Sequence, residues 1–244
     1  MEKALSPTEF RAVWAAKPVL RAVYGDYYRR MGEELAAGRP VVEIGAGSGN
    51  LKEAMPAIMS SDIVHAPWLD LVMDAQTLPF ADASVANLVG VDILHHVEYP
   101  RRFLAEAERV LKPGGRVVLV EPGITPLSHV VYKLGHPEPV DMKVDPLADG
   151  RPDHAKHPMA SNQATPTLLA GRYRGRLEQA FPGLRVARHD FLSLAAYPLS
   201  GGFRPWSLMP AGLVDPVLRL EGRLEPAVGH LMGFRLLLVI ERRL

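Results

Sequence analysis

Cysteine is absent from the 244 residues. Without a thiol there is no disulfide scaffold, no Cys-ligated zinc, no iron–sulfur cluster and no cysteine nucleophile. An excess of either charge is missing too: 28 Lys and Arg face 27 Asp and Glu, a formal net charge of +1. That balance excludes the broad positive field of a nonspecific nucleic-acid binder, and no nucleic-acid partner is expected. Long apolar runs are also lacking, and Glu2, Glu9 and Arg11 interrupt the first residues. Neither a signal peptide nor stable membrane insertion is therefore expected, and a cytoplasmic address fits best. Hydrophobic residues at 48% and charged ones at 23% suit one core with insertions. Proline, by contrast, is plentiful at 22 residues, and away from helix starts each one interrupts regular structure.

Ser6-Pro7-Thr8-Glu9 reads as an N-cap, a proline at the first helical position and a capping-box glutamate. Phe10, Val13, Trp14, Val19 and Leu20 continue a helical period that Pro18 should break. A second helix through Tyr24, Tyr27, Tyr28, Met31 and Leu35 should end near Gly38 and Pro40, so residues 1–39 are expected to form a helical cover. From residue 40 the grammar changes. Val41–Ile44 is a strand, Gly45-Ala46-Gly47-Ser48-Gly49 a turn, and Asn50–Met55 a short helix stopped by Pro56. Further strands are expected at 57–64, 69–74, 85–94, 116–121, 184–195 and 234–242. Helices fall between several of them, one with Phe103, Leu104, Ala107, Val110 and Leu111 on one face, ended by Lys112-Pro113-Gly114-Gly115. Alternating strands and helices predict an α/β chain with a mostly parallel sheet covered on both faces. Between 121 and 165 no strong period survives, so an insert over about 122–165 is expected, either a functional lid or a disordered segment. A second insert is expected at about 198–230, an irregular loop followed by apolar helical pieces.

The glycines at 45, 47 and 49 lack the spacing of a dinucleotide fingerprint, and no Lys-Ser/Thr follows as a nucleotide-phosphate loop requires. Glu43-x-Gly45-x-Gly47-x-Gly49 instead resembles motif I of the class I S-adenosylmethionine (SAM)-dependent methyltransferases, of the small-molecule, methyltransferase type 11-like kind. Three more segments resemble that family in the right order: Asp74-Ala75-Gln76-Thr77-Leu78-Pro79-Phe80, Leu94-His95-His96-Val97 and Leu111-Lys112-Pro113-Gly114-Gly115. The resemblance implies a Rossmann-like α/β fold with a mostly parallel seven-stranded sheet and an antiparallel last strand, residues 40–244 forming the methyltransferase domain. It also implies a SAM site, with Glu43, Gly45, Ala46, Gly47 and Gly49 at the methionine end, Asp62 at the ribose, Asp74 and Ala75 at the adenine, and Asp92 beside them. Only twelve positions separate Asp62 from Asp74, too few for a crossover helix. Ser60 and Ser61 are accordingly alternative ribose contacts, and Trp68 either covers the adenine or fills the gap left by the helix.

Methyl transfer is a displacement at an already activated carbon, so alignment and exclusion of water do most of the work. His95 is the first candidate for a general base and His96 the second, with Asp92 able to orient either ring. Tyr24, Tyr27, His129 and His136 are candidate substrate contacts. The insert also holds Tyr132, Glu138, Asp141, Asp153, His154 and His157, but His154-x-x-His157 sits among helix breakers without further ligand spacing, and no metal is expected. Lack of a D/N-P-P-Y motif, of cysteine and of a basic excess argues against methylation of nucleic-acid bases; a small-molecule acceptor is expected, with a protein or lipid acceptor harder to dismiss. A nicotinamide-dependent oxidoreductase and a noncatalytic cofactor-binding protein are the alternatives.

Overall fold

In a computed structural model of the chain, the structure describes residues 6–151, 153, 157 and 160–244. The chain opens with α1 (Pro7–Ala16) and α2 (Pro18–Glu33), and Ser6 and Glu9 form the reciprocal capping box. Then follow β1 (Val41–Glu43), α3 (Asn50–Ala54), β2 (Met59–Asp62), β3 (Leu71–Val72), β4 (Val85–Val91), α4 (Pro100–Val110) and β5 (Leu111–Pro122). Next are α5 (Pro126–Gly135), α6 (Thr165–Ala170), α7 (Arg174–Ala180), β6 (Leu184–Leu192) and α8 (Ala196–Ser200). A single 3₁₀ turn (Ala211–Leu213) leads into α9 (Val214–Met232), and β7 (Arg235–Arg242) closes the sheet.

The seven strands lie in the order β3-β2-β1-β4-β5-β7-β6. All neighbours are parallel except β7, which runs antiparallel to both β5 and β6. The expected α/β sheet with one antiparallel strand is therefore what the chain forms. Alternation along the strands divides the core. Val117, Leu119, Leu236, Leu238 and Ile240 face α4, α6 and α7, whereas Val118, Val120, Leu237 and Val239 face α1, α2 and α9. The first two helices are thus one of the layers that bury the sheet, with Leu20, Val23, Tyr27 and Met31 inside the core.

Several expectations need correction. The region after Glu121 is not without regular structure: Thr125 caps α5, its hydroxyl accepting from the Ser128 N–H, with Pro126 at the first helical position. The second insert is mostly one helix of 19 residues, α9, rather than short pieces. On α9, Glu221 accepts from the Ala196 N–H (2.6 Å) and Glu225 from the Ser193 N–H (2.9 Å) while pairing with Arg30 on α2 (2.8 Å). Strands end sooner than expected, β4 at Val91 and β6 at Leu192, because Asp92 and Ser193 turn into positive φ (58° and 57°). The trimmed crossover is as anticipated, with no helix between β2 and β3.

Lys17, between α1 and α2, points its ammonium at the carbonyls of Ser200, Gly202, Arg204 and Trp206, at 2.6–3.0 Å. One cation thus gathers the loop after α8, and hydrogen bonds from a charged donor are the strong kind. Lys17→Met keeps the apolar stem but removes the donors. It is expected to lower stability by about 1–3 kcal/mol and to speed amide exchange across residues 199–209. Unchanged urea unfolding and exchange would refute this role.

Candidate functional site

Strand order reverses between β1 and β4, since β2 and β3 lie to one side of β1 and β5, β7 and β6 beyond β4. In open α/β sheets the crevice at such a switch point, at the carboxyl ends of the strands, is where ligands bind. Glu43 ends β1 there, and the glycine turn follows it. Gly45, at φ 66°, has no room for a Cβ, which would lie 2.7 Å from the Ile93 side chain; at Gly49, at φ 76°, it would lie 2.7 Å from Trp68. The turn is held through both backbone groups of one residue. Gly47 donates its N–H to Asp62 Oδ2 (2.8 Å), and its carbonyl accepts from Trp68 Nε1 (2.9 Å). The Arg11 guanidinium of α1 lies 4.6 Å over the Trp68 ring and donates to the Ser48 carbonyl.

Glu43 is buried, and its Oε2 finds no hydrogen-bond partner among the described residues. Burial pushes its pKa up to about 8, with the charges of Asp62 and Asp70 adding and Lys52 opposing. A buried carboxyl with an unmet acceptor beneath a glycine turn suits a cationic ligand group, so the residues fit the ammonium-bearing end of SAM. Asp74 follows β3 and accepts from the Gln76 N–H (2.8 Å), an Asx turn that presents the carboxylate beside buried Ala75. Ala46 is buried within the turn. Asp62 keeps Oδ1 on the Val64 N–H, so this carboxylate braces the loop. Ser60 and Ser61, the alternative ribose contacts, are buried and committed elsewhere: Ser60 donates to Asp70 Oδ2, and Ser61 donates to the Glu43 carbonyl. Trp68 stands in the short connection between β2 and β3 and reaches the turn through its indole N–H.

Asp92 does not orient either histidine. Its Oδ1 accepts from Arg235 (2.6 Å) and its Oδ2 from the Tyr24 hydroxyl (3.1 Å). Arg235, at the start of β7, is buried against the rings of Tyr27 and Tyr197 (5.6 and 4.9 Å). Tyr27 is a core residue whose hydroxyl pairs with Ser193 Oγ (2.6 Å), not a substrate contact; Tyr24 is buried too, and only its hydroxyl reaches the edge. Burial raises both phenols well above their ordinary value, Asp92 adding to the effect at Tyr24.

His95 is buried with Nδ1 2.7 Å from Glu121 Oε2 and Nε2 3.5 Å from Glu138 Oε2. Burial works against its charge, yet Glu121 and Glu138 outweigh it and lift the imidazole to about 10. A ring so flanked is held toward its protonated form, which runs against its expected role as a base. His96 is displaced the other way, to about 4, by burial and by the neighbouring His95 ring 4.1 Å away. Glu138 is held low, to about 2, by the two histidines and Gln163 against the opposing effect of burial. His136 caps the end of α5 and meets Gln163 Nε2 (2.6 Å), whereas His129 stands two turns earlier on the helix (about 3.6 residues per turn), half-buried. His154 lies outside the described residues, so the His154–His157 spacing is not placed.

Glu121, Arg235 and Lys17 were missed in the sequence. Each carried one signal, a charge at the edge of an apolar strand or at a proline-marked helix junction, with nothing to name its partner.

Residues 42–119 match the family model described as a methyltransferase domain. A phthiotriol/phenolphthiotriol dimycocerosates methyltransferase of Mycobacterium tuberculosis is 50% identical over 50 residues, 20% of this chain and 18% of that protein. A demethylmenaquinone methyltransferase of Paenarthrobacter aurescens is 33% identical over 117 residues, 41% of this chain and 44% of the relative. The chain spans at most half the length of these curated relatives. Among solved structures, a SAM-dependent methyltransferase of Thermotoga maritima has a TM-score of 0.57 at 17% identity, covering 92% of each chain. One of Archaeoglobus fulgidus has a TM-score of 0.53 at 15% identity, covering 91% of this chain and 94% of the other. The resemblance read from the sequence is borne out to this extent: residues 42–119 match the methyltransferase-domain model, and the chain adopts the fold of these solved SAM-dependent methyltransferases. Among the described residues no helix is long and apolar enough to cross a membrane.

The raised Glu43 carboxyl has a consequence for stability. Between the unfolded value near 4.3 and about 8, the folded chain holds a proton that the unfolded chain has released. Stability is therefore expected to fall as pH rises through this window, by up to about 1.4 kcal/mol per pH unit from this group. Glu43→Gln should flatten that slope. Equal slopes in the parent and the variant, measured by denaturant unfolding across the window, would show that Glu43 ionises freely.

Proposed function

We propose that the protein is a SAM-dependent methyltransferase acting on a small-molecule acceptor in the cytoplasm. The observation that carries this reading is the buried, unpartnered Glu43 carboxyl at the end of β1, beside a turn that admits only glycine at 45 and 49. When bound, SAM supplies a methyl group on a sulfonium, electrophilic enough for a single in-line displacement. The chain's residues bind and orient it. Glu43, ionised, accepts from the donor's ammonium; Gly45 and Gly47 let the backbone come close; Asp74 accepts from the adenine amino group; Asp62 and Asp92 are the remaining acidic groups at this edge.

Acceptor alignment falls to the carboxyl edge beyond β4, where His95, His96, His136 and the Tyr24 hydroxyl converge with Asp92 and Glu138. The balanced charge and this recessed, polar edge favour a small molecule over a nucleic acid. Transfer to an acceptor that arrives ionised requires no protein base, and neither ring is assigned that role.

Asp74→Ala is expected to weaken S-adenosylhomocysteine binding about 10- to 100-fold, the worth of a hydrogen bond to a charged group. Isothermal titration of the parent and the variant, with the oxidised and reduced nicotinamide dinucleotides in parallel, tests it. Tight nicotinamide binding without S-adenosylhomocysteine binding would overturn the reading in favour of an oxidoreductase. Intact binding with no S-adenosylhomocysteine released from SAM over a broad acceptor panel would instead favour a noncatalytic cofactor-binding protein.

A further inference from the structure

One cluster at the carboxyl edge has no part in holding the methyl donor. His95 and His96 come from the segment after β4 and Glu138 from the segment after α5, and one ligating atom of each lies within 4.8 Å of the others. His95 Nε2 stands 3.5 Å from Glu138 Oε2, and His96 Nε2 stands 3.9 Å from Glu138 Oε1. A charge-assisted hydrogen bond would close to about 2.7–2.9 Å, and neither pair does. Two ligands each about 2.1 Å from a tetrahedral ion stand about 3.4 Å apart, so these separations are those a metal ion spans.

Outer partners add a second, independent observation. The fully buried Glu121 carboxylate holds His95 Nδ1 at 2.7 Å and is itself fixed by the Ile93 and Leu94 N–H groups at 2.9 and 2.7 Å. A carboxylate on the far nitrogen is the arrangement that fixes the tautomer and aims the other nitrogen of a metal-bound imidazole. Gln163 Nε2 donates to Glu138 Oε2 (3.1 Å) and steadies the acidic ligand in the same way.

We propose that His95 Nε2, His96 Nε2 and the Glu138 carboxylate form a site for a divalent zinc-type ion. Two imidazoles and one carboxylate, without thiolate, suit a borderline dication rather than Cu(I), and they are too nitrogen-rich for Mg²⁺ or Ca²⁺. On binding, His95 Nε2 releases its proton to solvent and its lone pair goes to the ion. Three protein ligands leave a fourth position, as catalytic zinc sites do. That position would take water or a lone-pair donor atom of the acceptor; only this assignment of its occupant rests on the methyltransferase reading.

The test uses the full chain, with Zn²⁺ followed by calorimetry and Co²⁺ by its visible absorption. One ion per chain and the intense absorption of four-coordinate Co²⁺ are expected. His96→Ala and Glu138→Gln should each weaken Zn²⁺ binding by more than the roughly 10- to 100-fold that loss of an outer partner costs, and Gln163→Ala should fall within that range. His65→Ala, an exposed histidine away from the cluster, should change nothing. S-adenosylhomocysteine affinity, measured in the same samples, should be unaltered in all four, so failure of the metal site is separable from failure of the donor site. No saturable Zn²⁺ binding, or equal binding in the parent, His96→Ala and Glu138→Gln, would overturn the proposal.

Discussion

Gly47 is the residue on which the site hangs. Its N–H is taken by Asp62 and its carbonyl by Trp68, so both backbone groups of a mid-loop residue are fixed by side chains from the end of β2 and the segment after it. A loop of glycines is the most expensive stretch of backbone to order, and these two bonds, with Arg11 laid over the Trp68 ring, hold it against the sheet. Trp68, in the short connection between β2 and β3, braces the turn directly. Through Arg11 the brace also extends to α1, which ties the first helix to the donor side of the sheet.

Three acidic side chains crowd the carboxyl edge of the central strands, Glu43 after β1, Asp92 after β4 and Glu121 at the end of β5. Burying a charge costs several kcal/mol unless it is matched, and the three are matched differently. Glu121 has two backbone N–H groups and a histidine; Asp92 has a buried arginine and a phenol. Glu43 has an oxygen with no partner and its pKa raised to about 8. The unmatched one is the group that a cationic ligand would complete; it stands at the end of β1, and the histidines follow β4. The twist of Asp92 into positive φ belongs to the same economy, since it turns the carboxylate back toward Arg235 and Tyr24.

Much of this was legible along the chain because it is written in neighbouring residues. The capping box of Ser6 and Glu9, the glycines after Val41–Ile44, the Asp74 segment and the proline–glycine stop before Arg116 each act over a few positions, where backbone geometry has few options. The strand and helix alternation was enough for the mostly parallel sheet, and the reversed last strand was implied by the family resemblance. Other readings failed where the deciding partner is remote. His95 looked like a base until Glu121 and Glu138, 26 and 43 positions on in sequence, proved to flank it. Tyr27 looked like a substrate contact, and Asp92 like a partner for histidine, because Arg235 was not yet beside them. The helix α5 and the unbroken α9 went unread because proline was taken as a breaker at positions where it begins a helix or is tolerated within one.

From residue order alone came the alternating architecture and the glycine turn, since these follow from local conformational preference and period, while Glu43 and Asp92 were placed at the site by the resemblance and Glu121 was not. The protonation and pairing of those same groups came from folding. Whether a carboxyl is bare, ion-paired or shared with an imidazole depends on which side chains the sheet order brings within a few ångströms, and on how far water is excluded there. Glu43, Asp92 and Glu121 are alike as letters at strand ends; burial and partners, set by the packing of α2, β7 and the segment after α5, make them three different chemical groups.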